Sequence, residues 1–294
     1  MGLETSKRAI LTHTVALQTV GHNIANAATE GYSRQRVNLV ASRPIEAPGM
    51  TRSAAPGQIG TGVQYDSVTR IRDRFLDLQF RRENQALKSF EVLSGTLETI
   101  EGIINEPSDT SLRAVMSRFW DAWEVLNRDP MLLSARINVI GTAVELTDTL
   151  QHIGQSLILL GNDIESNISI KVNEANVLIQ NIAQLNDYIR HVESSGVNAN
   201  DFRDQRDLLV DKLSALVDVQ VTETPAGDFI ITSAGVEVVN NGTATLLTIA
   251  NAENVAGGEL QGYVRSRSEV QRTIDQLNAM VNTMVTGEIV VRLP

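Results

Sequence analysis

The chain has 294 residues, 42% of them apolar and 20% charged, enough for one large or two ordinary domains with a real core and too apolar for a disordered chain. It holds no cysteine, which removes disulfides, thiol catalysis and zinc–thiolate sites together. A net charge of −10 argues against a nucleic-acid partner, and the lack of 18 consecutive apolar residues argues against a membrane span.

Residues 3–27 read as a helix in which Leu3, Ile10, Leu17 and Ile24 recur every seven positions, with Ala9, Ala16, Val20 and Ala27 beside them. So narrow a seam suits one partner helix better than a globular core. Thr29-Glu30-Gly31-Tyr32 ends the helix, because Gly31 can adopt positive φ. This start lacks a continuous apolar stretch and a cleavage site, so a cleaved secretion signal is not expected. Residues 40–62 hold Pro44, Pro48, Pro56 and four glycines, which predicts an extended arm, followed by a short strand at Val63–Val68.

A helical pattern returns from Arg74 to Asn105 and breaks at Glu106-Pro107. Ser108 or Asp109 can cap the next helix, which carries Phe119, Trp120 and Trp123 and stops before Asp129-Pro130. From Met131 to Ser194 no proline occurs. The ladder Leu146, Leu150, Ile153, Leu157, Leu160, Ile164 continues through Ile168, Val172, Ala175, Ile179, Ile182, Leu185 and Ile189. Its two successive steps of four at 164–168–172 resemble a stutter. An unbroken helix here would run about 95 Å. A helix over about 201–216 follows, then four short strands at Val219–Thr222, Phe229–Thr232, Val236–Val239 and Leu246–Ile249. Ala226-Gly227-Asp228 and Asn240-Asn241-Gly242 supply turns between them. A last helix covers about 258–285, and the chain stops inside an apparent strand at Val290–Leu293. The expected fold class is mainly α, an elongated helical bundle with long coiled-coil-like helices and a small β segment. The expected divisions are an assembly helix and signature (1–35), an arm (36–73), a helical rod (74–217), a β segment (218–252) and a returning helix (253–294).

Chemistry is hard to find. His13, His22, His152 and His191 have no second His or Cys at metal-ligand spacing. Gly60-Thr61-Gly62 starts like a dinucleotide loop, but position 65 is Tyr and no βαβ context follows. Asp201, Asp204, Asp207 and Asp211 form an acidic row at helical spacing. Without the two-apart ligand pattern of a calcium loop, a solvated face with Arg203 and Arg206 interleaved is expected. Phe119, Trp120 and Trp123 at helical spacing read as core. Residues 1–90 carry 12 Lys/Arg against 7 Asp/Glu and the remainder 13 against 28, so either ordinary solvated faces or attraction between neighbouring subunits is in view. With no nucleophile–base pair, metal set or cofactor loop, the sequence points to an assembly protein with no catalytic residues, metal or cofactor.

One stretch is specific. Gly21-His22-Asn23-Ile24-Ala25-Asn26, Thr29 and Gly31-Tyr32-Ser33-Arg34-Gln35 resemble the N-terminal signature of the flagellar axial proteins, the rod, hook and hook-associated families. Phe119-Trp120-Asp121-Ala122-Trp123, Asp204-Gln205-Arg206-Asp207-Leu208-Leu209 and Gly258-Glu259-Leu260-Gln261-Gly262 narrow the resemblance to the hook-associated protein 1 family. It implies a non-enzymatic subunit of the bacterial flagellum, outside the cell, exported unfolded through the flagellar secretion apparatus without a cleaved signal. It implies a homo-oligomeric ring between the flagellar hook protein and the second hook–filament junction protein. It further implies an export chaperone for a C-terminal part beyond this sequence, which would make the sequence an N-terminal portion. The implied assembly residues are Leu3, Ile10, Leu17 and Ile24 in the seam, with Asn23, Asn26, Gly31 and Tyr32 in the signature. Asn23 and Asn26 could bond a neighbour or cap the first helix. Residues 1–30 are expected to be poorly ordered in a free monomer and to fold on assembly, since an isolated helix loses about 1–2 kcal/mol per residue in backbone entropy. A rod or hook subunit, or from another class a secreted coiled-coil adhesin or effector, are the alternatives.

Overall fold

The computed structural model describes residues 2–44, 60–106, 108–224 and 228–287. Among them lie seven helices and two antiparallel sheets. In chain order the elements are α1 (Gly2–Ala25), β1 (Gln35–Ala41), β2 (Val63–Arg70), α2 (Arg74–Ile104), α3 (Leu112–Arg128), α4 (Leu133–Glu193) and α5 (Asn200–Leu216). There follow β3 (Gln220–Glu223), β4 (Phe229–Ser233), β5 (Val236–Asn240), β6 (Thr243–Ala244), α6 (Ile249–Ala252) and α7 (Gly258–Thr286). The class is mainly α, as the periodicity predicts, and α4 is one continuous helix of 61 residues.

The chain divides into two compact units. One comprises Met1–Arg82, Asn176–Ser214 and Val219–Leu246; the other comprises Glu83–Ala175, Ala215–Asp218 and Leu247–Pro294. In the first, β1 and β2 form a hairpin ladder from Gln35↔Arg70 to Ala41↔Val63, with a bulge at Asn38/Leu39. The small sheet β3-β4-β5-β6 is a meander whose Phe229, Ile231, Val238 and Val239 are buried, as are Ile179 and Ile182 of α4 and Val210 and Leu213 of α5. In the second unit Ile153, Leu157, Ile164, Ile168 and Val172 of α4 are all buried, including both four-residue steps of the stutter. There α2 and α7 approach closely. A Cβ on Gly262 would lie 2.7 Å from Val92 Cβ and 2.8 Å from the Ser89 carbonyl oxygen, so only glycine fits.

Several expectations change. Residues 35–41 form a full strand inside the predicted arm, because Val63–Arg70 offers them a ladder that no local pattern reveals. The cap of α3 is Ser111, whose Oγ accepts from the Ala114 amide, whereas Ser108 turns its hydroxyl to the Asn105 carbonyl. The fourth strand shrinks to Thr243–Ala244, and Leu246–Ile249 is not a strand. Thr248 and Asn251 exchange side-chain and backbone bonds in a capping box that starts α6 instead. Trp120 and Trp123 are nearly half exposed rather than core, at 45% and 47%. Val115 and Ala122, two turns apart, take the inward face of α3 and leave those rings on its flank. The expected turn at Ala226-Gly227, the strand at Val290–Leu293, and Pro48 and Pro56 of the arm lie outside the described residues.

Candidate assembly surface

The first helix carries two heptad faces. Thr5, Ala9, Thr12, Ala16, Thr19 and Asn23, spaced alternately by four and three and followed by Asn26 just past its end, are partly or fully buried, as is Val15 beside them. These small and polar residues let α1 lie close on the β1–β2 hairpin. Thr12 is buried and its hydroxyl donates to the Val63 carbonyl at 3.3 Å, and Gly62 at φ +106° fits against Thr5. The second face is the predicted seam. Leu3 is 89% exposed, Ile10 66%, Leu17 72% and Ile24 72%. Ala9 and Ala16, expected to broaden the seam, belong to the hairpin side. Among the described residues nothing covers the four large side chains.

The signature residues close the end of α1. Asn23 Oδ1 accepts from the Tyr32 hydroxyl and from the Gln35 amide, each at 2.8 Å, and its Nδ2 donates to the Gln35 carbonyl at 2.8 Å. One side chain therefore serves both backbone groups of the first β1 residue, as a strand neighbour would. Asn26 acts locally. Its Nδ2 donates to the His22 carbonyl at 3.1 Å and its Oδ1 accepts from Thr29 Oγ1 at 3.3 Å. Gly31 sits at φ +78°, and a Cβ there would lie 2.9 Å from Leu208 Cβ of α5. Tyr32 packs edge-on to His22 at 5.4 Å. Burial pushes the Tyr32 hydroxyl pKa up, and Asp201 and Asp204 nearby add to it.

α5 is the floor on which this corner rests. The Ser33 amide donates to Asp204 at 2.9 Å, Gln35 Nε2 to Asp201 at 2.7 Å, and Asn198 and Asn200 both donate to the Val68 carbonyl. The acidic row is not the solvated face that its spacing suggests. Asp204 and Asp207 are buried, because the hairpin end carries Arg70 and Arg72 over them. Arg70 Nη1 reaches Asp204 at 2.7 Å and Asp207 at 2.9 Å; Arg72 Nε holds Asp77 at 2.6 Å; Arg81 Nε holds Asp211 at 2.6 Å. Arg206 is buried too, donates to Asn186 at 3.0 Å, and stacks its guanidinium 3.7 Å over the Phe229 ring. Arg203 grips Glu193 with two nitrogens at 2.6 and 2.8 Å.

The carboxylates respond to these surroundings. Burial pushes Asp207 upward, but Arg206, Arg70 and Arg72 together outweigh it and hold its pKa below the usual value. For Asp211 burial wins over Arg81 and Arg72, and the pKa rises. The hydrogen bond from Arg203 lowers Glu193. Burial lowers Arg206. Such a network fixes geometry more than it adds net stability, but deleting one partner strands a buried charge at about 3–5 kcal/mol.

Sequence reading located the seam and the signature but missed their receptor. Arg70, Arg72 and Arg81 lie at least 130 positions from their Asp211 or Asp207 partners. The one available signal was the basic excess of residues 1–90 against the acidic remainder. Part of that asymmetry is satisfied inside the chain. Among the described residues no cluster of His, Cys, Asp or Glu could hold a metal ion, and no helix is long and apolar enough to cross a membrane.

The chain is similar to known proteins. The family described as "Flagellar hook-associated protein FlgK helical domain" matches residues 97–287. The chain is 34% identical over 292 residues to Flagellar hook-associated protein 1 of Bacillus subtilis (strain 168), covering 99% of this chain and 56% of that protein. Flagellar hook-associated protein 1 of Salmonella typhimurium is 28% identical, over 89% of this chain and 51% of the relative. The chain thus spans about half the length of the curated relatives it matches. The structure of the flagellar hook junction protein FlgK from Burkholderia pseudomallei superposes with a TM-score of 0.58 at 22% identity, covering 69% of this chain and 42% of that one, which shows a common fold.

Proposed function

The chain belongs to the flagellar hook-associated protein 1 family, and from that premise we propose that it is a structural, non-enzymatic subunit which polymerises at the hook–filament junction and is required for filament assembly. In this reading copies form a ring on the flagellar hook protein, with the second junction protein above. The subunit reaches the outside of the cell through the flagellar secretion apparatus without a cleaved signal. The export chaperone acts on a part of the protein outside this sequence.

The observation that carries the reading is the bare seam of α1. Fully burying one Leu or Ile contributes about 1.5–3 kcal/mol, so four residues exposed by two-thirds or more offer several kcal/mol to a partner helix. Before assembly that gain is absent. α1 then rests on the hairpin through small and polar residues, with Thr12 bonded to Val63 near its middle and Asn23 stapling its last turn. Residues 3–17 accordingly gain order on association.

The test exchanges the seam. With Leu3, Ile10, Leu17 and Ile24 all replaced by Gln, helix content outside α1 and the melting transition should stay unchanged while assembly is lost. Cells carrying only this variant should build hooks without filaments. Normal filaments would refute the role of the seam, and so would strong amide-exchange protection of residues 8–17 in dilute wild-type monomer.

A further inference from the structure

The ionic network has a second side. In the first unit, the hairpin end, the start of α2, α5 and strand β3 enclose a cleft of about 570 Å³, a volume typical of small-ligand sites. Six arginines line it: Arg70, Arg72, Arg74, Arg81, Arg203 and Arg206. Only three carboxylates do, those of Asp77, Asp207 and Glu223. The other acids of the network, Asp204, Asp211 and Glu193, hold these guanidinium groups but are not on the cleft wall. The six arginines thus meet six carboxylates in all, but only three of those carboxylates reach the wall, which is richer in guanidinium donors than in acceptors.

The arginines also retain donors. A guanidinium has five N–H bonds. Arg70 turns a single nitrogen, Nη1, to both of its aspartates. Arg74 stands at the rim with its side chain 73% exposed and engages Glu223 through Nη2. Arg206 is only 2% exposed, yet its Nε has no acceptor among the described residues. A buried charge-bearing donor left open is costly, so an acceptor oxygen entering from the cleft is favoured. Phe229 supplies an apolar wall, and Thr69, Thr222 and Asn200 supply neutral polar groups.

We propose that this cleft binds a compact oxyanion of the phosphate or polycarboxylate kind. The anion completes the arginine cluster and braces the hairpin end against α5 and the meander.

The test is a titration of the purified protein with inorganic phosphate and, separately, with citrate, against sodium chloride at equal ionic strength. A bound anion should raise the melting midpoint saturably, by about 2–4 °C for a stabilisation equivalent to a few-fold excess over Kd. Calorimetry should give one site per chain. The two anions distinguish a tetrahedral from a planar acceptor. Arg74→Gln, which leaves the buried pairs intact, should weaken binding about fivefold or more. Arg128→Gln, an exposed arginine of the other unit, should leave it unchanged. A rise that chloride reproduces, or equal affinity in the two variants, would overturn the proposal.

Discussion

Replacing Asn23 by Ala tests how the signature holds the start of the hairpin. The wild-type side chain makes three bonds of 2.8 Å, two of them to the backbone of Gln35. The alanine leaves that N–H and C=O without their side-chain partner. At about 0.5–1.5 kcal/mol net per bond, three bonds amount to about 1.5–4.5 kcal/mol, and water reaching this half-buried corner reduces the loss to about 1.5–3 kcal/mol. Since about 1.4 kcal/mol is a factor of ten, the Gln35 amide should exchange about 10–100 times faster. The assay is hydrogen exchange resolved at Gln35 by NMR, at fixed pH and temperature. Asn23→Asp keeps both acceptor roles and loses the donor, so its effect should fall between. Asn26→Ala removes bonds confined to the exposed end of α1 and should change Gln35 by less than about threefold. Unchanged Gln35 exchange in Asn23→Ala, or an equal effect from Asn26→Ala, would refute the staple and return Asn23 to the neighbour-binding reading.

Two further outcomes follow from the same corner. Gly31→Ala should destabilise the first unit by about 1–3 kcal/mol in urea melts, because a left-handed residue with a Cβ costs about 1–2 kcal/mol and the Cβ presses on Leu208. Adding Leu208→Ala should relieve the contact while leaving the φ penalty. Stability should fall as pH drops below the ordinary carboxylate range. Glu193 and Asp207 have depressed pKa values in the fold, so their contributions are present above the unfolded values of 4.5 and 3.8 and vanish as pH falls through the folded ones. Asp211, raised, acts in the opposite sense and offsets part of this slope. Glu193→Gln should flatten the acid limb of a plot of unfolding free energy against pH, and an unchanged limb would contradict the assignment.

The local code of this chain is strong where its physics is local. Period and length define α1, α2, α4 and α7 almost to their ends, because a helix closes its own hydrogen bonds and needs only a stripe to bury. The ladder from Leu146 to Ile189 names the buried face of α4, and heptad spacing names the seam of α1. The motif Gly31-Tyr32-Ser33 is equally visible. What it touches is not.

Tertiary structure decided the rest. Strand β1 exists because β2 lies beside it, across residues outside the described set, and a ladder partner leaves no mark on the strand it completes. Trp120 and Trp123 have the composition of a core but the wrong azimuth on α3, since Ala122 takes the inward place. The Asp204, Asp207 and Asp211 row has the spacing of a wet helix face and becomes a partly or fully buried floor only when Arg70, Arg72 and Arg81 are folded over it. Charge pairing depends on distance in space and hardly at all on distance along the chain. The sequence therefore determined which surfaces exist, an apolar seam and a signature turn. The fold alone determined that the turn is anchored on α5 while the seam remains open.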